Sequence, residues 1–103
     1  MAEFEKRLAC VVAADGSVVR GYLIGDCRFE KPNKYTLTWK VPLQGEAKTN
    51  FAGTIGSAKD EPVSPGLITV GLGRQPDQME VRTFDPDGSP AARSFHLVCF
   101  RDQ

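Results

Sequence analysis

Apolar and polar positions alternate along most of the chain with the two-residue period of half-buried strands. Tyr35, Leu37, Trp39 and Val41 fall on one face and Thr36, Thr38 and Lys40 on the other, which predicts a strand over Tyr35–Val41. Ile68, Val70 and Leu72 align within Leu67–Gly73, and Phe51 and Ile55 mark a weaker strand over Thr49–Ile55. Leu8, Cys10 and Val12 share one face of the first strand, with Val11 and Ala13 on the other. Both faces are apolar, as in a strand covered on both sides. Asp15-Gly16-Ser17 then signals a tight hairpin turn. Val18–Ile24 follows, with Gly21 and Gly25 marking a bend or bulge, and a short strand runs from Cys27 to Phe29. Lys31-Pro32-Asn33-Lys34 is a turn, Pro42–Glu46 a loop, and Gly56–Gly66 a long polar loop.

The most ordered stretch is Gln78–Arg101. Met79, Val81 and Thr83 alternate with Glu80 and Arg82, and Phe95–Phe100 is the most apolar run that follows. Pro86, Gly88 and Pro90 lie between them, so a β-hairpin with a long loop is expected. About seven or eight short strands, turn signals at regular spacing and no helical period give an all-β class: an antiparallel β-sandwich or small barrel. At 103 residues it is one domain spanning the whole chain, with Met1–Arg7 as a loose lead-in. Leu37, Trp39, Val41, Ile68, Val70, Val81 and Leu97 are its expected core.

Charge narrows the partners. Thirteen basic and thirteen acidic side chains cancel and are scattered, a poor fit to a nucleic-acid backbone. The longest apolar run, Leu8–Ala14, has seven residues, against about 20 for a membrane span. No membrane partner is therefore expected. The expected location is the cytoplasm, or outside the cell for a mature form whose signal has been removed. The three cysteines, Cys10, Cys27 and Cys99, are an odd number without a Cys-x-x-Cys spacing, and are expected to be free, buried thiols.

Candidate chemistry is thin. Asp85-Pro86-Asp87-Gly88-Ser89 opens like a calcium loop, but His96 stands where the twelfth-position glutamate belongs, so a plain turn is expected. His96 is the only histidine; with Cys99 three residues away on the opposite strand face, a zinc site is not expected. Ser94 lies two residues before His96, without the Gly-x-Ser-x-Gly elbow of a hydrolase. Asp15, Asp26, Glu30, Asp60, Glu61, Asp77, Asp85 and Asp87 nearly all fall in predicted turns, so no carboxylate pair can be picked out. Gly71-Leu72-Gly73 has no following helix and is not a dinucleotide motif. Trp39 and Tyr35 share a face with Leu37 and Val41 and read as core rather than as a sugar-stacking platform; Tyr22 is less constrained. No metal or cofactor is implied.

Val12-Ala13-Ala14-Asp15-Gly16 with Arg20-Gly21, Tyr35-Thr36-Leu37-Thr38-Trp39, Pro65-Gly66-Leu67-Ile68-Thr69-Val70, Val81-Arg82-Thr83, Gly88-Ser89-Pro90-Ala91 and Arg93-Ser94-Phe95-His96-Leu97 form an ordered set from about Val11 to Cys99. In this set the chain resembles a group of short bacterial β-rich proteins, many with signal peptides and none with an assigned activity. The resemblance implies a shared β-domain and no catalytic residue. It also implies a cysteine soon after the Tyr-Thr-x-Thr strand that could pair near the C-terminus. Here Gly45-Glu46-Ala47-Lys48 has none, so Cys99 lacks that partner.

The expected function is a non-enzymatic binding or assembly module, such as a fibre or particle component or a carbohydrate- or protein-binding domain. The alternatives are a small hydrolase with a dispersed carboxylate site and a partner-neutralising, immunity-type protein acting through Gly56–Gly66. The contact residues expected are Tyr22, His96, Val98 and Phe100. Phe95, Leu97 and Cys99 can face the core, which leaves Val98 and Phe100 beside His96 on the second face of an apolar strand. Terminal strands lying side by side would merge their second faces into one patch. Closed self-association, a trimer first, would bury it, unless the N-terminal segment or the Gly56–Gly66 loop covers it.

Overall fold

A computed structural model describes residues 7–43 and 49–101. Eight strands are arranged as an antiparallel β-sandwich: β1 (Arg7–Val12), β2 (Val18–Tyr22), β3 (Ile24–Glu30), β4 (Lys34–Trp39), β5 (Thr49–Ile55), β6 (Leu67–Leu72), β7 (Gln78–Phe84) and β8 (Phe95–Arg101). One sheet has the order β2-β1-β8-β5 and the other β3-β4-β7-β6. The architecture is thus a sandwich, not a closed barrel.

The inner faces follow the alternation in the sequence. Leu8, Cys10 and Val12 face inward beside Cys99, Leu97 and Phe95 of the first and last strands, which are antiparallel neighbours. Opposite them lie Cys27, Leu37 and Met79 in one cross-strand row and Phe29, Tyr35 and Val81 in the next. Leu37, Trp39, Val81 and Leu97 of the expected core are buried, while Val41, Ile68 and Val70 pack against it half-buried. Tyr35 bridges the sheets. Its ring lies 4.9 Å from Phe29 and 5.0 Å, edge-on, from Phe95. Its hydroxyl donates to the carbonyls of Ala14, at 2.7 Å, and Arg93, at 3.3 Å, tying the first turn to the last crossover.

Gln78–Arg101 is not a hairpin. β7 pairs with β4 and β6, whereas β8 pairs with β1 and β5 in the other sheet. The turn formers are real: Gly88 has φ 90°, and Asp87 Oδ1 accepts from the Ser89 amide and hydroxyl. They close a local turn at the end of β7, marked by a single bridge between Phe84 and Pro90. The chain then crosses the sandwich. The Val18–Ile24 run is also cut. Leu23, at φ 65°, carries the chain from β2 to β3, in the opposite sheet. β3 is accordingly longer than the Cys27–Phe29 expected, and β4 and β6 end at Trp39 and Leu72, short of Val41 and Gly73. The Asp15-Gly16-Ser17 hairpin is present, and Gly16 needs its hydrogen: φ is 93° and a Cβ would stand 2.6 Å from the Phe29 Cβ. Met1–Lys6 and most of the Pro42–Glu46 loop lie outside the described residues.

Candidate functional site

The registers of β1, β2, β5 and β8 place all four expected contact residues on one outer face. Tyr22, the neighbour of Ala9 across the ladder, begins a row that continues through Ala9 and Val98 to Ala52.

 Arg20, Val11, His96 and Thr54 form the adjoining row, and Phe100 stands opposite Asn50 at the next. The small side chains of Ala9 and Ala52 leave a shallow depression of about 360 Å³ along the middle of this face, with Val11 and Val98 in its lining. Tyr22 and Phe100 stand at its margin, 46% and 44% exposed. Val11 is buried between Arg20 and His96 although it points away from the core. The face is therefore apolar at its centre and carries a cation at one edge.

The long Gly56–Gly66 loop touches one corner of this face without covering it. His96 Nε2 lies 2.8 Å from the Ser57 carbonyl, and the Ser94 hydroxyl donates to the Gly56 carbonyl at 2.6 Å. Neither side chain is joined to the other as a nucleophile and base would be. Within the loop, Glu61 accepts from the Ala58 and Lys59 amides at 2.7 and 2.9 Å. Arg93 holds the far end. Its Nη1 donates to the Pro65 carbonyl at 3.0 Å and to Asp85 at 3.2 Å, and its Nη2 reaches the Ser64 carbonyl and hydroxyl. The sequence carries Arg93 only inside the Arg93-Ser94-Phe95-His96-Leu97 stretch, with no sign that it anchors this loop. A lone arginine before an apolar strand has no periodic or motif signature, and its partners lie 28 and 29 residues away.

Asp15, Glu61 and Asp87 are each engaged within their own turn or loop. Hydrogen bonds from Ser17 and Ser89 hold the Asp15 and Asp87 carboxyls below the ordinary range, and the Ala58 and Lys59 amides do the same for Glu61. That direction keeps each ionised and is the wrong one for a general acid. Asp26, Glu30 and Glu80 do share the outer face of the β3-β4-β7-β6 sheet, with Arg28, Lys34 and Arg74 around a polar groove of about 290 Å³. Lys34 lies 3.6 Å from both Glu30 and Glu80, so two of these carboxylates are engaged by one ammonium. Two of the thiols are held in their protonated form. Burial pushes Cys10 and Cys27 up to about 12. Cys10 and Cys99 point inward while His96 points outward, so they cannot share a metal ion with it. Trp39 and Tyr35 are buried, which leaves Tyr22 as the exposed tyrosine. No family model, curated protein or solved structure matches this chain.

Proposed function

We propose that this chain is a non-enzymatic assembly module that packs copies of itself together through the outer face of β1 and β8, closing as a trimer. The observation that carries the reading is the pairing of an apolar depression with two half-exposed aromatic side chains, Tyr22 and Phe100, on a face built from the two terminal strands. Large exposed apolar patches on soluble domains mark contact sites. Aromatic side chains at the margin of a small-residue hollow suit knob-and-hollow packing against another copy, and closed symmetry buries such a patch on every subunit. The choice of three copies rests on analogy with trimeric sandwiches whose terminal strands lie at the axis.

Light scattering coupled to gel filtration tests this directly. The parent should run at a multiple of the 11.3 kDa chain mass. Phe100→Glu should reduce that multiple, because it would bury an unpaired charge at the contact. A parent that stays at one chain mass on concentration would overturn self-association. A parent oligomer unchanged by Phe100→Glu would place the contact elsewhere. A foreign protein or a carbohydrate on this face would appear as a monomeric parent whose Tyr22 and Phe100 resonances move on addition of that ligand.

A further inference from the structure

The two lateral sides of the sandwich differ in how they treat their open backbone. On one side lie the edge strands β2 and β3. Each carries an extra residue that shifts its register, between the partners of Val11 and Val12 and between Ile24 and Asp26. They also carry Arg20, Asp26, Arg28 and Glu30. Bulges and charges are the usual devices that stop an edge from accepting another strand. On the other side lie β5 and β6, Thr-Asn-Phe-Ala-Gly-Thr-Ile and Leu-Ile-Thr-Val-Gly-Leu. Neither contains a charge or a proline, and both run in unbroken register with their neighbours.

We propose that β6 is a second self-association site, where two copies pair edge to edge, antiparallel, across a twofold axis through Val70. The backbone fixes the register. The Gly73 amide donates to the Gln78 carbonyl at 2.9 Å, one step beyond the Leu72–Met79 pair, so the Gly73 amide points toward β7. Antiparallel bonding alternates. Gly71 and Thr69 therefore also bond to β7, while the amides and carbonyls of Ile68, Val70 and Leu72 point to the free edge. The Thr83 amide agrees, since Thr83 stands opposite Ile68 and donates to the Asn33 carbonyl on the other side, at 3.2 Å.

A second β6 matches this edge only where its own free amides meet them. Centred on Val70, Val70 faces Val70, and Ile68 faces Leu72 of the other copy. Their inward side chains, half-buried at the open corner of the core, then continue the core of the second copy. Thr69 and Gly71 face each other on the outer surface, where a Cβ on Gly71 meets nothing within 4 Å. The same operation on β5 would put Gly53 near the centre, with no side chain to extend the core. Twofold pairing is closed at this edge, so each β6 takes up one other copy, and a chain that has lost the β1–β8 contact stops at two copies.

The site is independent of the β1–β8 face, and the test separates them by starting from Phe100→Glu, whose substituted residue lies on that face. This full-length variant should still pair as two chains when concentrated. Adding Thr69→Lys and Gly71→Lys places like charges directly across the proposed contact without touching the core, and should weaken pairing by roughly tenfold. Thr69→Glu with Gly71→Lys places opposite charges there and should restore it. A Phe100→Glu variant that remains a single chain up to millimolar concentration would overturn the proposal. So would equal pairing in the like-charged and opposite-charged variants.

Discussion

Leu97 is 3% exposed and sits between Cys10 and Gly53 in the cross-strand row at the centre of its sheet. Truncation there leaves a hollow that neighbouring strands on both sides hold open. Leu97→Ala should therefore cost about 2–5 kcal/mol, read as a shift in the urea midpoint at unchanged slope. A variant as stable as the parent would mean that the sheets collapse onto the gap. Val98, the next residue, is the contrast. It points outward into the apolar depression, so its truncation should act on assembly rather than on the core. This single step along β8 is the pleat at work, and it was legible in the sequence because Phe95, Leu97 and Cys99 alternate with His96, Val98 and Phe100.

At the scale of elements, alternation located strands well and partners badly. Thr49–Ile55 and the Asp15-Gly16-Ser17 hairpin have the bounds read from the sequence, because periodicity and turn chemistry are local. The expected β7–β8 hairpin failed because strand pairing is not local. Gly88 and Ser89 close a turn whether the next strand returns beside the first or crosses to the other sheet. What settles the crossing is tertiary: Tyr35 binds the Arg93 carbonyl, and Arg93 reaches back to Ser64 and Pro65. Arg93 thus fastens the β5–β6 loop to the β7–β8 crossover. Arg93→Ala removes the guanidinium's bonds to Ser64, Pro65 and Asp85, keeps the carbonyl that Tyr35 binds, and leaves the strands intact. Limited trypsin digestion should cut at Lys59, exposed within that loop, faster in the variant than in the parent, with little change in the thermal midpoint. Equal cleavage rates would show that Glu61 and Ser94 hold the loop without it.

At the scale of the molecule, Cys10 belongs to one sheet and Cys27 to the other, and both thiols face the shared interior. Burial is the leading cause that raises each from 9.0 to about 12; Cys27 adds to the rise at Cys10, and Asp26 to that at Cys27. The sign follows from the thiol being neutral when protonated. Below pH 9 both folded and unfolded thiols hold their protons, and this contribution to stability is fully present. Above pH 9 the unfolded thiol loses its proton while the folded one keeps it. Stability then falls as pH rises, until the folded thiol also ionises near 12. Within that window each thiol should contribute a slope of at most about 1.4 kcal/mol per pH unit. Urea unfolding at pH 8 and pH 10.5 measures it. The Cys10→Ala/Cys27→Ala variant, less stable at pH 8 from lost packing, should lose less on going to pH 10.5 than the parent does. Equal losses would mean that the two thiols already titrate normally in the folded sandwich, and that water reaches the interior between the sheets.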